Sequence, residues 1–134
     1  MLKLLYILTT VFIIGFVGIV GGLMDIFQVD KVVDTAAKLG YPLYFFPLLG
    51  IFKLLGAFTI LIPKKVKTLK DIAYSGFAMD FIFASYSHYN VQSPILEVAI
   101  PVILLIILIF SYLMGKQYSL YSKGIESKFK HVHT

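Results

Sequence analysis

Four long apolar runs restrict the fold of this chain more than any other feature. They cover residues 4–24, 43–62, 72–89 and 94–114 of a chain of 134 residues. A helix needs about 20 mainly apolar residues to cross the hydrocarbon core of a bilayer. The pattern therefore predicts an all-α membrane protein, in which residues 1–114 form an antiparallel four-helix transmembrane bundle.

The connections between the runs predict the orientation of this bundle. Residues 26–41 alternate apolar and charged side chains, which predicts a short amphipathic helix on the membrane surface after the first span. Residues 64–71 hold four lysines and one aspartate, and residues 115–134 form a basic juxtamembrane tail. Because lysines collect on the cytoplasmic side, we expect both termini in the cytoplasm and the spans in the inner or plasma membrane.

The composition excludes several classes of function. Hydrophobic residues make up 59% of the chain and charged residues 14%, as in membrane proteins. The chain has no cysteine, which excludes disulfides, thiolate metal sites and thiol chemistry. The net charge of +5 comes from lysines that flank the apolar runs, so it predicts topology and a lipid bilayer as partner. No nucleic-acid partner is predicted.

Two opposite charges lie near the middle of two apolar runs. Lys53 and Asp80 are equally distant from the turn expected near residues 66–67, so antiparallel helices would hold them at the same depth. A charge at the bilayer centre costs about 2.5–3.5 kcal/mol on insertion scales, which predicts an intramembrane ion pair. The pair is either a structural clasp, which its neutrality favours, or the lining of a proton or ligand pathway.

Polar and aromatic residues gather near the outer ends of the spans. The predicted outer-leaflet polar pocket consists of Asp25, His88 and Glu97, and its predicted aromatics are Tyr41, Tyr86 and Tyr89. The alternative is that these are hydrated interfacial residues and an aromatic belt, and it is favoured because spacing alone cannot bring the three polar residues together. No metal site is predicted, because no His–Glu pair has ligand spacing within one helix.

Small residues recur on the faces of three spans. The glycines predicted to pack helices closely are Gly18, Gly22, Gly50, Gly56 and Gly76. Small residues spaced by four positions let two helices approach. Packing within one chain is favoured, and a homodimer remains an alternative.

Several short motifs together resemble the DoxX-like family of small four-span membrane proteins. The resemblance covers residues 10–112, and its motifs are Leu39-Gly40-Tyr41-Pro42, Gly50-x-x-Lys53-x-x-Gly56-Ala57, Ile62-Pro63, Ala73-Tyr74-x-Gly76-Phe77 and Ala84-x-x-x-His88. The resemblance implies an up-down four-helix bundle. The family takes its name from a subunit of a thiosulfate:quinone oxidoreductase, and other relatives look like assembly factors, including the animal acetylcholine-receptor chaperone.

These observations leave three functions open. The chain is predicted to be an accessory subunit, or a binder of a small lipophilic molecule, linked to quinone and redox processes. The alternatives are a non-enzymatic assembly factor for another membrane protein and a small proton-coupled carrier. Enzymatic activity of the chain alone is disfavoured. A quinone is the one cofactor considered, and a membrane-protein partner is compatible with each reading.

Overall fold

Five helices make up the regular secondary structure of the described residues. The computed structural model describes residues 1–61 and 67–132. The helices are α1 (Leu2–Phe27), α2 (Asp30–Leu39), α3 (Phe45–Leu61), α4 (Lys67–Asn90) and α5 (Ile95–Val132). The predicted all-helical class is confirmed. The Ile62-Pro63 motif and residues 64–66 of the lysine-rich connection lie outside the described residues.

Two of the described helices are long and apolar enough to cross a membrane. These are α1, with 26 residues, and α5, with 38 residues. The described part of α3 is also apolar but has only 17 residues. The helix that contains the predicted fourth span continues well past residue 114, because residues 115–132 of the basic tail are also part of α5.

The four longer helices each pack against two neighbours. Helices α1 and α4 both contact α3 and α5. Along each interface the residue numbers in contact rise on one helix and fall on the other. For example, Gly18 lies beside Ala57 and Gly22 lies beside Gly50. Neighbouring helices are therefore antiparallel. Their buried core contains Ile13, Ile14, Val17, Ala57, Ile60, Tyr74, Phe77, Phe81 and Leu108.

The middle of α1 is a π-helix. Residues Ile13–Gly21 have π-helical hydrogen bonding, with α-helical turns on both sides. Such wider turns are uncommon in proteins and occur frequently beside functional sites. The α-helical turn that follows, Gly22–Phe27, carries Asp25 toward α3.

The short helix α2 lies against the start of α3. Its Val32 and Ala36 are buried with Phe46 in a small second core. Gly40 ends α2 with φ +76°, a left-handed conformation that glycine adopts without strain. The amphipathic helix predicted after the first apolar run is thus present, and its apolar face packs on protein.

Candidate functional site

A cavity of about 700 Å³ lies between α1, α3 and α4, with α2 forming one wall. We call it the main cavity. Most of its lining is apolar, and its aromatic side chains include Tyr41, Phe45, Phe81 and Phe83. The lining also includes the polar side chains of Asp25, Lys53, Asp80 and His88, with Lys31 of α2 at the exposed side of the cavity.

Three charged side chains meet on one side of this cavity. The Nζ atom of Lys53 lies 2.8 Å from Oδ2 of Asp25 and 3.5 Å from Oδ2 of Asp80. The exposed fraction of the side chain is 16% for Lys53, 9% for Asp25 and 18% for Asp80. We call Asp25, Lys53 and Asp80 the charge cluster. It holds one ammonium and two carboxylates in a largely apolar site.

Helix packing explains why the cluster forms. Gly22 and Gly50 have no side chain between α1 and α3, so the backbones approach closely at this level. Asp25 follows Gly22 by one turn, and Lys53 follows Gly50 by one turn. Both therefore point into the same interface from antiparallel helices. Asp80 reaches Lys53 from α4, at the depth that the sequence predicted for it.

The predicted outer-leaflet group is divided between two places. Asp25 belongs to the charge cluster, whereas Glu97 is paired with Lys38 of α2 at 2.5 Å. The Nδ1 atom of His88 lies 3.3 Å from the same Glu97 oxygen and 3.0 Å from Oγ of Ser93. Asp25 and His88 line the main cavity, and Glu97 does not. The three residues therefore do not form one pocket.

The predicted pocket aromatics also separate. Tyr41 lines the main cavity, stacks on Phe45 and shares a hydrogen bond of 2.6 Å with the Ser87 hydroxyl. Tyr86 and Tyr89 are 65% and 70% exposed and line a shallow depression elsewhere on α4. Their assignment to the pocket is corrected accordingly. Residues of similar depth on a helix point in different directions around its axis, so shared depth did not bring Tyr86 and Tyr89 to the cavity.

Four of the five predicted glycines lie at close contacts. A Cβ atom on Gly18 would be 2.6 Å from Cβ of Ala57, and one on Gly56 would be 3.0 Å from the Phe77 ring. Gly22 and Gly50 oppose each other. Gly76 differs, because nothing lies within 4 Å of the position its Cβ would take. It lines the main cavity and leaves space there.

A second cavity reaches the charge cluster from the opposite side. It has a volume of about 360 Å³ and lies between α3 and α4, extending toward Thr59 and Leu69. Its lining shares four residues with the main cavity: Leu49, Lys53, Gly76 and Asp80. Lys53 and Asp80 therefore lie between the two cavities and line both of them.

Polar contacts that join the helices elsewhere were also not predicted from the sequence. Lys38, on the charged face of the predicted amphipathic helix, joins α2 to the start of α5 through Glu97. Ser111 is fully buried, and its hydroxyl lies 2.8 Å from that of Thr10 and 3.1 Å from that of Tyr74. Hydroxyl residues within apolar runs were the available signal, since such groups bond across helices.

The charge cluster suits binding and proton exchange better than metal coordination. Among the described residues, no group of three or more His, Asp or Glu side chains is placed to hold a metal ion. The ammonium of Lys53 occupies the space between the two carboxylates. A molecule in the main cavity could instead bind a carboxylate oxygen with its polar end and pack its apolar part on the walls.

Comparison with known proteins agrees with the helical and apolar character of the chain. No curated protein and no solved structure matched this sequence. The model of the DoxX-like family matches residues 7–111, which is most of the chain and includes every residue that lines the two cavities. The chain therefore belongs to the DoxX-like family, which is made of small membrane proteins.

Proposed function

We propose that the protein binds a small lipophilic molecule in its main cavity, as an accessory subunit to a membrane partner that carries out quinone-linked redox chemistry. The cavity is the observation that carries the proposed binding of a small molecule. Its volume of about 700 Å³ and its apolar walls are typical of small-molecule sites, which also place a few polar groups to orient the ligand. The charge cluster would supply those groups.

The proposal includes an arrangement in the membrane. Helices α1, α3, α4 and α5 would each span an inner or plasma membrane as an antiparallel four-helix bundle. The 24 residues of α4 reach about 36 Å, enough to cross the hydrocarbon core despite its central aspartate. The paired charge of Asp80 and the antiparallel packing of the four helices support this arrangement.

The orientation can be tested with single cysteines, because the chain has none of its own. Asn90 and Thr68 are both exposed and lie at opposite ends of α4. A membrane-impermeant thiol reagent added to intact cells should label Asn90→Cys and leave Thr68→Cys unlabelled until the cells are lysed. The reverse pattern would place the main cavity's α2 side toward the cytoplasm and contradict the proposed topology.

The ligand can be tested by extraction. Protein purified in a mild neutral detergent should release a lipophilic molecule into organic solvent at a constant molar ratio, measured by mass spectrometry. A quinone would also absorb ultraviolet light and change its spectrum after chemical reduction. We expect Gly76→Leu to abolish this binding, because the new side chain would fill open space in the main cavity without meeting a neighbouring atom at Cβ.

Gly124→Leu provides the matched control. Gly124 also has open space around it but lies in the part of α5 beyond the cavities, so this variant should retain the ligand. Equal ligand content in Gly76→Leu and the unmodified protein would show that the main cavity is not the binding site. Absence of any stoichiometric lipophilic molecule in the unmodified protein would contradict the proposal itself.

A proton-coupled carrier is the second candidate, and the two cavities that meet at Lys53 and Asp80 favour it. A carrier needs access to a charged site from both sides of the membrane. Vesicles containing the protein should then dissipate an imposed pH gradient, followed with an entrapped pH-sensitive dye. Asp80→Asn should stop this movement. Gradient decay equal to that of empty vesicles would rule out the carrier.

A further inference from the structure

We propose that the main cavity selects a lipophilic cation, an organic amine with an apolar tail, and that the carboxylate of Asp80 binds its ammonium group. The inference rests on the proposed function, because it names the chemical class of the molecule that the cavity takes. It concerns the head group of the ligand, which the volume and the apolar walls alone leave open.

The charge cluster carries an excess negative charge. Asp25 and Asp80 contribute two negative charges and Lys53 contributes one positive charge, which leaves a formal charge of −1. An uncompensated charge in a low-dielectric site is strongly unfavourable, whereas a paired one is tolerated. A cationic ligand would balance the cluster. A neutral head group would leave the excess charge in place, and an anionic one would increase it.

Other cations near the main cavity do not provide this balance. His88 lies two turns from Asp80 on α4, where it contacts Glu97 and Ser93. Lys38 is likewise paired with Glu97. Lys31 belongs to the cavity lining but is exposed on α2, where its ammonium can be solvated. The excess carboxylate thus remains a property of the charge cluster.

Asp80 is better placed than Asp25 to receive the ligand. Asp25 accepts a hydrogen bond of 2.8 Å from Lys53, while the contact of Asp80 with Lys53 is longer, at 3.5 Å. The Asp80 side chain is also twice as exposed, 18% against 9%, and it lines both cavities. Gly76, one turn before Asp80 on α4, leaves open space beside it. A head group has room there.

The walls of the cavity also suit a cation. Tyr41, Phe45, Phe81 and Phe83 line the same cavity as Asp80. Aromatic faces attract ammonium groups within about 6 Å of the ring centre, and the attraction is stronger in a desolvated site. The same rings would pack against an apolar tail. Charge balance at Asp80 and the aromatic lining therefore favour one class of ligand.

The test compares three probes of equal chain length that differ only in the head group: dodecylamine, dodecanol and dodecanoate. Equilibrium binding of each labelled probe is measured on the full chain, purified in a neutral maltoside detergent. We expect the amine to bind at least about tenfold more tightly than the alcohol, and the carboxylate most weakly. Asp80→Asn should remove the preference for the amine while the alcohol still binds.

Asp34→Asn is the matched control. It changes the net charge equally but lies on the exposed face of α2, outside the cavity lining, so the preference should remain. If Asp80→Asn does not fold, Gly76→Leu serves as the second variant, because it fills the space beside Asp80 and should abolish binding of amine and alcohol alike.

The outcomes separate the inference from the proposed function. Equal affinity for amine and alcohol, or equal loss in Asp80→Asn and Asp34→Asn, would overturn the selection of cations while leaving a lipophilic site. Retention of the full preference for the amine in Asp80→Asn would overturn the role of Asp80. Failure of all three probes to bind would overturn the proposed function together with the inference.

Discussion

Replacement of Lys53 by methionine is expected to lower the free energy of unfolding by about 3–5 kcal/mol, because it leaves two carboxylates without their shared cation in a largely buried site. The melting temperature should fall by on the order of 10 °C, measured by circular dichroism in detergent. Asp80→Asn should cost much less, since the 2.8 Å pair between Lys53 and Asp25 remains.

The combined variant tests the cluster as a unit. Lys53→Met together with Asp25→Asn and Asp80→Asn removes every charge, and its stability should recover above that of Lys53→Met alone. Lys123→Met, on the exposed part of α5, is the control for loss of a lysine and should change little. Additive losses in the triple variant would mean that the three side chains do not interact. A loss in Asp80→Asn as large as that in Lys53→Met would show that Asp25 is not the closer partner.

Gly50→Ala should destabilise the protein by about 1–3 kcal/mol through overpacking between α1 and α3. The new Cβ would overlap the carbonyl oxygen of Gly22 and lie 2.8 Å from Cγ1 of Ile26. Backbone atoms cannot rotate away as a side-chain end can, so the helices would have to separate. Separation would also lengthen the contact between Asp25 and Lys53. Thermal unfolding in detergent measures the loss.

Gly15→Ala is the matched substitution in α1. No neighbouring atom lies within 4 Å of its Cβ position, so the variant should be as stable as the unmodified protein or slightly more stable. Alanine has a higher helix propensity than glycine by about 1 kcal/mol. If Gly50→Ala matched Gly15→Ala in stability, the close approach of α1 and α3 would not hold in solution.

The apolar runs and the depths of the charged residues along them predicted much of the helical architecture. The apolar runs gave the positions of the long helices, because a run of this length has few alternatives to a helix. Counting from the turn gave the common depth of Lys53 and Asp80, whose charged groups lie 3.5 Å apart. Depth depends only on chain distance along two antiparallel helices, so it can be read from sequence.

The direction in which side chains point could not be predicted in the same way. Asp25 was assigned to the outer edge, where hydropathy ends the first run at residue 24. Helix α1 instead continues to Phe27, so Asp25 lies within the helix and reaches Lys53 of α3. Glu97 forms an ion pair with Lys38 of α2. This contact could not be predicted because the position of α2 depends on tertiary packing. Gly76 illustrates a further ambiguity, since a small residue can mark either a contact or a space.

The length of α5 has a mechanical consequence. Pro101 is buried within this helix, lines the main cavity and cannot donate a hydrogen bond to the carbonyl of Glu97. The 31 residues from there to Val132 extend about 47 Å in one continuous helix. A bend of about 5° at Pro101 would swing Val132 through about 4 Å, by the geometry of a lever of that length. Because the displacement grows with distance from Pro101, a small movement of the cavity wall would produce a measurable distance change at a spin label on the last turn.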